Sequence, residues 1–155
     1  MAPCSRCANL RVRCSLAELG DLRLSEEIQD PALLAIKRSL LGTWRFEEID
    51  KPGICGWLSF DDQCRAIQLL GTFESLQIPT QMRLIYAVED TSVLRFRYSK
   101  SLGIWKRRFR LEQDALQLWT EDARYHCSLV RVKPGELPMW YSAAHAATLR
   151  RFQAD

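Results

Sequence analysis

The residues that decide the fold read SVLRFRYSKSLGIWKRRFRLE, from Ser92 to Glu112. Leu94, Phe96 and Tyr98 alternate with Arg95 and Arg97. After Ser101-Leu102-Gly103, the residues Trp105, Arg107, Phe109 and Leu111 alternate with Ile104, Lys106, Arg108 and Arg110. Successive side chains on a strand point to opposite faces, so a two-residue period makes one apolar face and one charged face. The turn is short enough to join antiparallel strands directly. A single curved sheet with one interior satisfies this pattern.

The same punctuation extends in both directions. Upstream, Thr43–Ile49, Ile54–Phe60, Cys64–Leu70 and Met82–Val88 read as strands. Lys51-Pro52-Gly53, Asp61-Asp62-Gln63 and a longer loop over 72–81 separate them. Downstream, Gln113-Asp114 leads into Leu116–Thr120, and Glu121-Asp122 into Arg124–Val132. About eight short strands at a spacing of roughly 8–12 residues describe a sandwich or a barrel. Hairpin-short connections favour an up-and-down antiparallel meander, hence a mainly β protein built on one β-barrel.

The barrel is expected over residues 39–133. Residues 1–38 read as an N-terminal extension, partly disordered, that ends in a short helix. Asp30 is its cap and Pro31 its first turn, with Leu33, Leu34 and Ile36 available to pack on one barrel end. Residues 134–155 hold a C-terminal helix, expected over 137–152. There Trp140, Ala143, Ala144, Ala147 and Phe152 recur at helical spacing.

With 155 residues, 47% apolar and 26% charged, the chain suits one globular domain and excludes a chain disordered throughout. No apolar run approaches the ~20 residues of a spanning helix. Residues 1–24 lack the apolar stretch of a secretory signal, so the expected location is intracellular, with reduced thiols. Residues 1–17 contain Arg and Ser without acids, which also fits an organellar transit peptide. The net charge of +3 is uneven: residues 83–110 carry 8 basic and 2 acidic groups, a local excess of +6.

The first strand opens Leu41-Gly42-Thr43-Trp44. A Gly-x-Trp on the first strand of an eight-stranded meander resembles the lipocalins and the wider calycin group. The resemblance covers about residues 39–133. It implies that Trp44 closes the barrel bottom and that an Arg near the end of the last strand stacks on it. Arg131, in Ser128-Leu129-Val130-Arg131, stands at that place. An eight-stranded barrel holds packed side chains or one small ligand. Trp105, Arg107 and Phe109 are therefore candidate ligand-binding residues, with Arg107 poised to grip a carboxylate. Two other readings of Arg107 stay open: an alternation reversed at this point, or a side chain that reaches the rim.

Lys100, Lys106 and Arg108 bracket a hairpin in a way that resembles the first hairpin of pleckstrin-homology domains, whose basic residues grip inositol phosphates. Together with Arg95, Arg97 and Arg110 they form a candidate surface for acidic phospholipid, another polyanion or an acidic protein surface. The opposing reading is a solvated strand face that discourages edge pairing.

Cys4, Cys7 and Cys14 resemble half of a fungal binuclear zinc cluster, yet three thiolates do not close a tetrahedral site, so no metal or other cofactor is expected. Cys55 and Cys64 flank a hairpin out of register, which predicts no disulfide between them. His126 and Ser128 share a strand face, but no nucleophile elbow accompanies them, and no catalytic residue is assigned. Nucleic-acid binding is disfavoured, because the aromatics of residues 96–105 mostly face away from the charges.

Carriage of a small apolar or amphipathic ligand, without catalysis, is the leading expectation. A peripheral polyanion-binding module is the first alternative. An enzyme on a calycin scaffold, an isomerase or chromophore lyase, is the second.

Overall fold

The computed structural model describes residues 30–47, 51–77 and 81–154. The expectations for Cys4, Cys7, Cys14, the transit peptide and the disordered extension lie outside these residues. Helix α1 (Pro31–Leu40) is followed by eight strands: β1 (Gly42–Glu47), β2 (Cys55–Phe60), β3 (Arg65–Gly71), β4 (Met82–Asp90), β5 (Val93–Tyr98), β6 (Ile104–Glu112), β7 (Ala115–Trp119) and β8 (His126–Val132). A 3-10 turn, Pro134–Glu136, leads to helix α2 (Tyr141–Ala154). Each strand pairs antiparallel with the next, and β8 returns to β1 to close the barrel. Closure leaves no sheet edge exposed.

The alternation expected from the sequence sets the pleat. Trp44, Phe46, Leu58, Phe60, Ala66, Leu84, Tyr86, Val88, Leu94, Phe96, Phe109, Leu116, Leu118 and Leu129 are buried inside, with Trp105 and Leu111 packed against them. An aromatic column runs through this interior. Phe96 stacks on Trp105 at 5.9 Å, Phe60 lies 6.5 Å from Phe96, and Phe60 meets Tyr86 edge-on at 4.9 Å. Gly56 is required because the Phe46 ring occupies the space of any side chain there.

Helix α1 closes one barrel end. The Asp30 carboxylate accepts from the Ala32 amide at 2.9 Å, and Pro31 occupies the first turn, as a helix start demands. Leu40 is fully buried, while Leu33 and Ile36 pack on the barrel core. Gly42 adopts φ +117, a left-handed turn from helix into strand that favours glycine.

Helix α2 packs on the outer face of β2 and β3. All six residues of β2 are buried, which no single-interior barrel explains. Cys55, Trp57, Ile67, Leu69, Val132 and Tyr141 form a second core outside the barrel, joined by Trp140, Ala144, Leu149 and Phe152. The helix starts at Tyr141 rather than 137, and Ala143 is exposed rather than inward. The packed face follows Tyr141, Ala144, Thr148 and Phe152. Phe152 is held between Arg65 and Arg83, at 5.7 and 6.0 Å from its ring.

Candidate functional site

The meander places the connecting residues 51–54, 72–77, 99–103 and 120–125 at the barrel end opposite α1. The two ends are built differently.

At the closed end, the Arg131 guanidinium lies 4.3 Å from the Trp44 ring centre. It donates to the carbonyl oxygens of Leu41 at 2.9 Å and Ser39 at 2.6 Å, and its Nε meets Asp114 at 3.0 Å. The Trp44 indole donates to the Leu40 carbonyl at 2.9 Å. These contacts satisfy carbonyls that the end of α1 leaves without helical donors. Lys37 is buried beside them, donating to Cys64 Sγ at 3.4 Å and lying 5.9 Å from the Tyr86 ring. Burial lowers the Lys37 ammonium to about 8, with Asp61 and Asp62 acting in the opposite direction. Burial raises the Tyr86 phenol well above its ordinary value, assisted by the same two aspartates. The Tyr86 hydroxyl donates to the Asp61 carbonyl at 2.7 Å.

At the open end, Phe73, Tyr98, Leu102, Ile104 and Tyr125 expose large apolar side chains. Tyr98 lies 4.8 Å from Trp105, so the inner aromatic column reaches solvent here. Arg107 sits between Trp105 and Phe109 in the inward register, opposite Leu94. The residue is partly exposed; its guanidinium lies 5.3 Å from the Tyr125 ring and donates to the Lys106 carbonyl at 2.9 Å. No carboxylate among the described residues meets it. The alternation is not reversed; the backbone directs Arg107 inward and the side chain bends toward the rim. Of the three candidate ligand residues, Trp105 and Arg107 face this mouth, whereas Phe109 is 4% exposed and belongs to the core beneath.

Most of the candidate polyanion residues stand beside acidic side chains. Glu89 lies between Arg95, at 3.4 Å, and Lys106, at 2.9 Å. Arg108 holds Glu121 through both carboxylate oxygens, and that pairing lowers the Glu121 carboxyl. Arg110 stands 4.0 Å from Glu112. Arg97 is buried and binds the carbonyls of Tyr98, Ser99 and Ser101, holding the β5–β6 turn. Lys100 is exposed in that turn. The hairpin that carries these residues forms strands five and six of the barrel. A recess of about 530 Å³ opens on the outer face of β6 to β8, lined by Arg110, Glu112, Gln117, Trp119, Ala123 and His126.

The strand-mates His126 and Ser128 do not form a nucleophile–base pair. The Ser128 hydroxyl donates to Gln117 at 2.8 Å, and His126 packs on the edge of Trp119. A serine–histidine contact occurs elsewhere: Ser59 Oγ and His145 Nε2 are 2.9 Å apart beneath α2. Tyr141 stacks on His145 at 5.5 Å, and its buried hydroxyl faces Thr43 and Ser59 without a well-aligned bond. Burial lowers the His145 imidazole, opposed by Asp61 and reinforced by Arg65. Eighty-six positions separate this pair, and only the docking of α2 joins it. Ser59 is 8% exposed, so the contact fastens the helix.

Cys55 is a buried free thiol opposite Gly71, so it forms no bridge to Cys64. No helix among the described residues is long and apolar enough to cross a membrane. No protein-family model matches the chain, and neither a curated protein nor a solved structure matches it significantly.

Proposed function

We propose that this protein carries or senses a small anionic, amphipathic ligand at the open mouth of a lipocalin-like barrel, without catalysing a reaction on it. The observation that carries this reading is Arg107. It is a partly exposed cation whose backbone lies in the inward register, its guanidinium 5.3 Å from the Tyr125 ring, two residues along the strand from Trp105 and with no acidic partner among the described residues. Arg95, Lys106, Arg108, Arg110 and Arg131 each face a carboxylate instead. Arginine presents a planar fork that fits a carboxylate bidentately, and aromatic neighbours supply an apolar wall.

The lipocalin-like assignment is supported by Gly42-Thr43-Trp44 on the first strand and by Arg131 over Trp44 at the closed end. The acids beside the basic ladder weaken the polyanion alternative, and the burial of Ser59 weakens the enzymatic one. Native mass spectrometry of protein purified from cells tests the proposal. The wild type should carry a small noncovalent adduct that Arg107→Gln loses while remaining folded. A wild type with no adduct, or one shared equally with the variant, overturns it.

A further inference from the structure

We infer that the ligand is a flat aromatic carboxylate rather than a long-chain fatty acid, an inference that rests on the mouth-site reading above. The geometry below the mouth decides between these classes. Trp105 is stacked on Phe96, and Phe96 leads through Phe60 to Tyr86, whose hydroxyl is fixed to the turn at the closed end. Phe109 and Leu94 are buried on either side of Arg107, and Phe46 fills the space above Gly56. An alkyl chain entering past Arg107 meets this column one ring down. Close-packed interiors yield such space only by displacing side chains from their rotamers.

The mouth itself suits a ring. Tyr98 and Trp105 stand 4.8 Å apart and tilted by 46°, and Tyr98 and Tyr125 are each about half exposed. A planar ligand stacks on such faces at little conformational cost, because it has few rotors to freeze. Arg107 follows Trp105 by two residues on the same face, so the two side chains leave the strand roughly 7 Å apart. A two-ring aromatic acid spans that interval with its carboxylate at the guanidinium.

Isothermal titration with 2-naphthoate, decanoate and the uncharged 2-naphthylmethanol separates the possibilities. The wild type should bind 2-naphthoate at least tenfold more tightly than either of the others. Arg107→Gln should weaken 2-naphthoate at least tenfold. Tyr98→Ala, at a half-exposed position, should weaken it as well and serves if Arg107→Gln does not fold. Decanoate binding more tightly than 2-naphthoate, with affinity rising on chain extension, overturns the aromatic class and leaves the mouth-site reading standing. Equal binding of the acid and the alcohol, or full binding by both variants, overturns the assigned site. Binding of neither acid overturns this inference and the mouth-site reading together.

Discussion

Trp44 and Arg131 show how much two side chains can specify. Trp44 is completely buried, its indole N–H has a carbonyl partner, and one ring face carries the guanidinium. Trp44→Ala should cost about 3–5 kcal/mol in a denaturant melt, as buried large aromatics do. Arg131→Met keeps bulk over the ring but removes the donors to Ser39 and Leu41, and should cost about 1–3 kcal/mol. Lys37 makes an opposite prediction. Its folded-state value, about 8, lies below its ordinary value of 10.5, so the unfolded chain binds the proton more tightly. Stability should therefore rise as pH climbs from 8 toward 10, by up to about 3 kcal/mol over the full interval to 10.5. Above 10, the raised Tyr86 value reverses the slope, because the unfolded phenol ionises first. Lys37→Met should be more stable than wild type at pH 7 and should flatten the rise. A less stable variant, or an unchanged slope, would show that Lys37 is not a buried cation. The Gly-x-Trp motif made the Trp44–Arg131 contact legible from the sequence. Nothing made Lys37 legible, because a lysine among Leu34, Ile36 and Leu40 reads as the polar face of a helix.

At the scale of elements, the strands were readable because their alternation is physical: a pleat that buries one face repeats every two residues. Observed boundaries fall within about two residues of those expected, the usual latitude of strand ends. The outer face of β2 was not readable. Cys55, Trp57 and Ser59 sit between Gly56, Leu58 and Phe60, and a continuous buried run carries no period. Its cover, α2, is a weakly amphipathic helix whose inward face is fixed by Tyr141 and Phe152, with Trp140 packed just before its first turn. Trp57 meets Trp140 and Phe73 edge-on at 5.3 and 5.6 Å, and the Trp140 indole donates to the Thr72 carbonyl. Phe152→Ala removes the ring between Arg65 and Arg83 and should loosen the last turns of α2, at a cost of about 1–2 kcal/mol. Cys55, a buried thiol in the same outer core, reports that opening. Site-resolved alkylation followed by mass spectrometry should show Cys55 reacting several-fold faster in the variant. An unchanged rate would mean that α2 does not gate this core.

The whole molecule is a barrel with one end sealed by a helix and the other bordered by exposed aromatics. The sealed end was legible because local signals specify it: Asp30-Pro31, Gly42, Trp44 and Arg131. The electrostatics were not, since the sequence shows charge without its partners. Glu89 enters the basic ladder beside the β4–β5 bulge, and Glu121 reaches Arg108 from the next loop, so a local excess of +6 becomes a set of ion pairs. Exposed pairs of this kind contribute little stability, but they offset part of the field that a polyanion would meet. The same pairing leaves Arg107, at the mouth, as the inward cation on which the proposed function rests. The most direct measurement is heteronuclear NMR of the labelled protein, following the Trp105 indole N–H and Arg107 Nε–H during addition of 2-naphthoate. Saturable shifts are expected at Trp105, Arg107, Tyr98 and Tyr125, with the Trp44 and Trp119 indoles unmoved. Shifts centred on Trp119 and His126 at the outer recess, or no shifts at all, would contradict it.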